Sequence, residues 1–184
     1  MMKITMARVA GHMVPPHRRE EIANLAWVLR KHIGYSKRNF FPIVEFFEQI
    51  LPILVPEFEQ EILSNDQMGG KHGETFPQQS RIVLSEEVYD RAVAGEGRDR
   101  LTIAHECGHL LMLRGVNPSY CRTDDNHPIY CDSEWQADVF GGALLAPGRM
   151  LRGKDEETVS EEFGVSLAAA QAQLDHARKC RFAY

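Results

Sequence analysis

The 184-residue sequence has few cysteines and no long uninterrupted apolar run, and each absence excludes a class of protein. Four cysteines are too few for a disulfide-dense secreted domain, so free thiols in a reducing compartment are expected. The most apolar stretch, residues 40–55, is interrupted by two glutamates and two prolines, which excludes a membrane span. No charged segment followed by an apolar one opens the chain, so we expect no secretory signal and a cytoplasmic location.

The chain also lacks an excess of positive charge. Its formal net charge is −5 at pH 7, which disfavours nonspecific binding to nucleic acid. Hydrophobic residues make up 43% and charged residues 26%, as in ordinary globular proteins. The length suffices for one domain with a substantial core, so a small soluble protein is expected.

What the chain does contain is an H-E-x-x-H motif at residues 105–109, in a segment with helical spacing of apolar residues. His105 and His109 are four residues apart, so they share one helix face, where two neutral imidazoles can bind one Zn²⁺. Glu106 can accept a proton from a water that such a metal activates. Gly108 allows another backbone to approach this helix closely. The motif is short enough to arise by chance, so its context must support it.

A helix-start pattern downstream supplies candidates for a third ligand. Ser133 and Gln136 form a capping-box pattern that predicts a helix start, and Pro147 predicts its end. Glu134 falls in the first turn and Asp138 one turn later on the same face. One interpretation makes Glu134 the third zinc ligand and Asp138 the carboxylate that orients a ligating histidine. The other interpretation makes both carboxylates part of a solvated helix face.

At these two segments, RDRLTIAHECGHLLMLR and SEWQADVFGGALLAP, the chain resembles the ImmA/IrrE family of zinc metallopeptidases. The likeness extends upstream through SRIVLSEEVYDRAVAGEGRDR and downstream to EEFGVSLAAAQAQL. The resemblance implies a zincin-like fold, one Zn²⁺ on His105, His109 and Glu134, and Glu106 as the catalytic base. The chain departs from the family pattern at Cys107, where an aliphatic residue is common.

The resemblance also implies a partner. Family members work beside phage-type repressors, which they cleave or inactivate, so the expected substrate is a helix-turn-helix repressor protein. The alternative is a regulatory protein of the same fold that sequesters a repressor or an antitoxin without cutting it. Direct contact with nucleic acid or a membrane is not expected, and the sequence does not indicate an oligomeric state.

The coarse pattern predicts an α+β fold with a small sheet beside the metal helix and helical parts at both ends. Residues 1–14 are predicted to be a loose lead-in, residues 15–152 the metallopeptidase domain, and residues 153–184 a helical hairpin. Helices are predicted over 15–33, 42–51 and 86–94, and strands around 58–62 and 81–84, the latter close to the catalytic cleft.

Three details stay open. The C-terminal part, with Gly164 as a stop and Ser166 as a cap, permits either a DNA-binding helix-turn-helix or a structural hairpin, and its acidic first helix favours the hairpin. Cys121 and Cys131 bracket a loop that permits a second metal site, although free thiols are favoured because the spacing matches no zinc-finger pattern. The donor that stabilises the oxyanion is unassigned among His127, Tyr120 and Tyr130.

Overall fold

The computed structural model describes residues 11–116 and 127–179, which form the predicted α+β fold. The helices are α1 (Arg19–His32), α2 (Ile43–Glu45), α3 (Leu51–Leu54), α4 (Asn65–Met68), α5 (Glu86–Val93), α6 (Gly97–Leu113), α7 (Ser133–Leu145), α8 (Glu156–Phe163) and α9 (Leu167–Lys179). The strands are β1 (Glu59–Leu63), β2 (Gly73–Phe76) and β3 (Arg81–Ser85). None of the described helices combines the length and the apolar character needed to cross a membrane.

The sheet has the order β1-β3-β2, with β1 parallel and β2 antiparallel to β3. At the centre of the sheet, the side chains of Ile82 and Leu84 on β3 are completely buried. We expected β3 to lie beside the cleft, but β2 forms that wall of the site instead. The sequence of β2, Gly-Glu-Thr-Phe, is short and carries no clear alternation of polar and apolar residues, so periodicity does not reveal it.

The helices α6 and α7 pack very closely, because each presents a glycine to the other. A methyl group on Gly108 would lie 3.2 Å from the backbone of Ala137, and one on Gly141 would lie 3.0 Å from the backbone nitrogen of His105. The expected close approach at Gly108 is therefore confirmed. Fully buried side chains such as Ile103 fill the space around this contact. The two helices that carry the predicted site residues are thus held at a fixed separation.

The helix α1 is joined to the end of α7 by Arg30, whose side chain is completely buried. Its guanidinium donates to the carbonyl oxygens of Leu144 at 2.6 Å and Leu145 at 3.3 Å, near the carboxyl end of α7. It also donates to the carbonyl oxygens of Tyr35, Arg38 and Asn39. Burial lowers the pKa of Arg30 to about 10, so the group stays charged at neutral pH and supplies a cation where a helix end favours one.

Three predicted helix boundaries are wrong. The first helix begins at Arg19 and not at Pro15, because Arg18 is its extended cap and donates its N–H to Glu21. Pro52 does not end the second helix. A π-helical turn at Phe46–Ile50 follows α2, and the chain then continues into α3, where Pro52 lies in the first turn. A proline is tolerated in a first turn, where its missing N–H needs no partner. The cap of α7 is Asp132, which accepts from the backbone N–H of Trp135 at 2.8 Å, and not the predicted Ser133.

Residues 11–14, expected to be part of a loose lead-in, form a short paired segment that we name the N-terminal strap. Met13 pairs with Asp132 in an antiparallel bridge, and the N–H of Val14 donates to the carbonyl oxygen of Cys131 at 2.7 Å. The side chain of Val14 is buried. These bonds fix the strap against the start of α7.

The C-terminal helices α8 and α9 form the hairpin that the sequence indicates. Gly164 ends α8 with a φ of 62°, and the Ser166 hydroxyl accepts from the N–H of Ala169 at 3.2 Å. Phe163 and Ala170 are completely buried in the common core. Small residues on α9 therefore serve close packing.

Candidate metal centre

Three side chains from α6 and α7 converge on one point. The Nε2 atoms of His105 and His109 lie 2.9 Å apart. One carboxylate oxygen of Glu134 lies 3.2 Å from Nε2 of His105, and the other lies 3.2 Å from Nε2 of His109. The structure thus brings together the three residues that the sequence singled out as ligands, and their donor atoms lie within 4.8 Å of one another, close enough to hold one metal ion.

The donor set fits zinc. Ligand atoms bonded at about 2 Å to one tetrahedral zinc ion lie about 3.3 Å from each other. The observed separations of 2.9 Å and 3.2 Å come close to this spacing. Two imidazole nitrogens and a carboxylate oxygen are also the ligand types of catalytic zinc sites that leave one position open.

Asp138 lies where it can orient the first histidine. Its Oδ1 is 2.8 Å from Nδ1 of His105, while most of its side chain faces solvent. A proton on Nδ1 donated to this carboxylate leaves the lone pair of Nε2 directed at the ligand group. The hydrogen bond to Asp138 also makes the imidazole of His105 more basic and fixes the orientation of its ring.

The electrostatics of the centre favour positive charge. Burial lowers the pKa of His105, but hydrogen bonds to Asp138 and Glu134 and the nearby Glu106 outweigh burial and raise it to about 10. Hydrogen bonds from His105 and His109 hold the pKa of Glu134 far below its usual range. The carboxylates that stabilise a proton here are equally placed to stabilise a metal cation.

Glu106 is held against β2 by two contacts. The hydroxyl of Thr75 donates to its Oε2 at 2.6 Å, and the backbone of Gly73 lies so close that a methyl group there would be 2.8 Å from Oε1. Glu106 itself is only 7% exposed. Its carboxylate is therefore fixed in place at the edge of the ligand group, on the side of the sheet.

These side chains line a cavity of about 610 Å³, which we name the metal-site cavity. Its volume lies in the range of about 300–1,000 Å³ that is usual for ligand sites. One wall is β2 with the turn after it, another is α6, and the start of α7 and the N-terminal strap complete it. The lining residues are His12, Lys71, Gly73, Glu74, Thr75, Pro77, Gln78, His105, Glu106, His109, Leu113, Ser133 and Glu134.

The structure narrows the candidates for an oxyanion donor. The side chain of His127 is 3% exposed and bonds to Asp132 at 2.9 Å, so it is buried away from the metal-site cavity. Tyr130 lines a separate cavity with His17 and Glu21. Tyr120 lies outside the described residues.

The cysteines play no part in the ligand group. Cys107 is completely buried, and burial raises the pKa of its thiol, which accords with a side chain directed away from the metal face. Cys131 is a buried free thiol. Cys121 and Cys180, together with the acidic residues of the loop at 122–126, lie outside the described residues, so the hypothesis of a second metal site stays a prediction.

Sequence reasoning missed four residues of the site: Gly11, His12, Gly73 and Thr75. Gly11 and His12 belong to the N-terminal strap, and Gly73 and Thr75 belong to β2. A local signal exists only for the glycines, which often mark a close approach of backbone. The other two contacts join segments that are distant in the sequence.

The chain was compared with models of protein families. The model described as Peptidase_M78, IrrE N-terminal-like domain, matches residues 64–175, which is more than half of the chain. The matched region begins just before α4 and ends within α9, so it includes β2, α6 and α7. No curated protein matches the sequence.

Proposed function

Since the chain belongs to the Peptidase_M78 family of IrrE N-terminal-like domains, a metallopeptidase family, we propose that it is a zinc-dependent endopeptidase acting on a protein substrate. One observation carries the proposal: a buried carboxylate, Glu106, stands beside three convergent ligands in a single open cavity. A carboxylate at that place is what proton transfer to and from a metal-activated water requires.

The chain's own residues divide the chemistry among them. His105, His109 and Glu134 would hold one Zn²⁺, which when bound polarises a carbonyl oxygen and makes a water more acidic. Glu106 accepts the proton of the attacking water and returns it to the leaving amine. Thr75 occupies one oxygen of Glu106, and the other has no hydrogen-bond partner among residues 11–116 and 127–179. That second oxygen is the one we assign to proton transfer.

The edge of β2 supports a peptide as the substrate. Within the described sheet, β2 pairs only with β3, and residues of β2 and of the turn after it line the metal-site cavity. An extended peptide can add to such an edge by backbone hydrogen bonds. We propose that the substrate lies along β2 with its scissile bond near Glu106.

The proposed substrate is a helix-turn-helix repressor of the phage type, present in the same cytoplasm. The support for this partner is the resemblance of the two motif segments to the ImmA/IrrE family. The substrate is best sought next to the gene of this protein, as a repressor with an N-terminal helix-turn-helix. We propose no direct contact between the peptidase and DNA, in keeping with its net negative charge.

The test compares the wild type with Glu106→Gln. Each protein is incubated with zinc and the repressor, and the products are analysed by mass spectrometry. The wild type is expected to give one pair of fragments, and Glu106→Gln is expected to bind zinc normally but to give none. If Glu106→Gln relieves repression as well as the wild type does, then hydrolysis is not the function and the protein acts by binding.

A further inference from the structure

The proposed peptidase reaction requires a hydrogen-bond donor that Glu106 and Thr75 cannot supply. When the water oxygen bonds to the scissile carbonyl carbon, the π electron pair of the carbonyl moves to its oxygen, which becomes an oxyanion. Glu106 holds the proton from the water at that moment, and Thr75 is bonded to Glu106. Among the described residues, the candidates for this donor are the other side chains that line the metal-site cavity.

The N-terminal strap places a histidine at this cavity. The backbone N–H of His12 donates to the hydroxyl oxygen of Ser133 at 2.9 Å, and its carbonyl oxygen accepts from the N–H of Ser133 at 3.0 Å. The neighbouring Gly11 lies against Glu134, since a methyl group on it would be 2.7 Å from Cγ of that side chain. The position of His12 relative to the ligand Glu134 is therefore fixed by backbone contacts.

The imidazole of His12 shares the cavity with the ligands but does not join them. His12 is one of the residues that line the cavity together with Ser133 and Glu134, and it is an exposed residue. Its nitrogens do not belong to the group formed by His105, His109 and Glu134. A donor that approaches the metal centre without binding to it suits a developing oxyanion better than a ligand does.

Other donors in the cavity are already engaged or buried. Among residues 11–116 and 127–179, His12 makes hydrogen bonds only through its backbone, whereas the Ser133 hydroxyl already accepts from the N–H of His12 and belongs to a residue that is 3% exposed. The remaining donors form these bonds: Lys71 to Glu74 at 2.6 Å, Thr75 to Glu106 at 2.6 Å, and Gln78 to the carbonyl oxygen of Val116 at 2.8 Å.

We infer that His12 is a catalytic residue whose imidazole N–H donates to the oxyanion. A neutral imidazole has one N–H for this purpose, and an imidazolium has two. When the C–N bond breaks, the oxyanion pair re-forms the carbonyl, the bonding pair leaves with the nitrogen, and Glu106 gives the nitrogen its proton. His12 returns to its starting state, so electrons and protons balance.

The experiment compares His12→Ala with His32→Ala. His32 is an exposed histidine at the end of α1 and is not one of the residues that line the metal-site cavity. His12→Ala is expected to lower kcat about 100-fold, the loss typical for one oxyanion donor, with KM and zinc affinity unchanged. His12→Gln, which keeps an N–H donor, is expected to retain more activity. His32→Ala is expected to match the wild type.

A second measurement does not depend on turnover. Acetohydroxamate is titrated into the Co²⁺-loaded proteins and followed by visible absorption, and His12→Ala is expected to bind it about tenfold more weakly than His32→Ala does. If the wild type cleaves no repressor, the proposed function fails, and this titration still tests His12. Wild-type turnover together with unchanged hydroxamate affinity in His12→Ala would overturn the inference.

Discussion

Thr75 on β2 donates its hydroxyl hydrogen to Oε2 of Glu106 at 2.6 Å, and the same hydroxyl lies 3.1 Å from the carbonyl oxygen of Glu106. The sheet is thereby tied to the carboxylate that we assign to proton transfer. A substrate that pairs with β2 is aligned by the same strand that aligns Glu106. Substrate and base therefore share one rigid support.

Thr75→Val is expected to lower kcat about tenfold or more, because it removes a hydrogen bond to a charged group while keeping the side-chain shape. Thr75→Ser keeps the hydroxyl and is expected to restore most of the rate. Steady-state kinetics on the repressor substrate measure both. Equal rates for the valine and serine variants would show that the hydroxyl does not position Glu106.

Gly141→Ala is expected to weaken zinc binding, because its methyl group meets the backbone of His105 at 3.0 Å and forces α6 and α7 apart. An overpacking cost of about 1–3 kcal/mol, if it falls wholly on the metal-bound form, corresponds to about 5–150-fold in affinity. Competition with a chelator measures the effect. The neighbouring Gly142→Ala is the control, since its methyl group meets only the flexible end of Gln173.

Asp138→Asn is expected to lower zinc affinity about 10–100-fold, the usual loss when a carboxylate that orients a ligating histidine is removed. The amide can no longer accept the Nδ1 proton of His105 as a charged group does. Chelator competition on the variant and on Asp90→Asn, an exposed acid of α5, separates orientation from surface charge. Equal affinities for the two variants would place Asp138 among ordinary surface carboxylates.

The metal-free protein is expected to lose stability as the pH rises from about 6.5 to about 10. The pKa of His105 is raised from 6.5 to about 10, so the stabilisation by its proton is complete below 6.5 and is lost as the pH rises through 10. Thermal unfolding of the wild type and of His105→Gln over this range measures the part due to this residue. A parallel pH dependence in both proteins would contradict the shift.

Binding of zinc to the same site is expected to release protons at pH 8, because the metal replaces the proton that His105 holds in the metal-free protein. Calorimetry in two buffers of different ionisation enthalpy gives the number released. The Glu134 carboxylate, whose pKa is lowered, contributes none at this pH. A binding enthalpy independent of the buffer would show that the ligands are already deprotonated.

The parts of the molecule that could be predicted from the sequence are those that depend on local spacing. The turn between His105 and His109, and the caps at Ser85 and Ser166, follow from residues within four positions of each other. The sequence predicts Ser133 as the cap of α7, whereas the structure has Asp132 in that position. Both residue types are good caps, and the hydroxyl of Ser133 instead accepts from the N–H of His12 in the N-terminal strap. A pattern of neighbouring residues does not show which of two adjacent caps is engaged by a distant part of the chain.

The remaining site contacts are long-range, and no periodicity encodes them. Thr75 and Glu106 are 31 positions apart, and His12 and Ser133 are 121 apart. In each pair one partner, Thr75 or His12, looks ordinary in the sequence, since a threonine in a short edge strand or a histidine near the start of the chain has many structural uses. Tertiary packing alone selects the partner.

The buried guanidinium of Arg30 links the part of the chain that matches the family to a helix that lies outside it. The region shared with the family begins at residue 64, yet the carbonyl groups near the end of α7 receive their hydrogen bonds from a helix that precedes it. A fragment that begins at residue 64 would lack Arg30 and the rest of α1, so those oxygens would lose their donor and α7 would lose the helix packed against it. A fragment cut to residues 64–175 is therefore expected to be less stable than the whole chain, because it also loses the core residues that α1 and α2 supply.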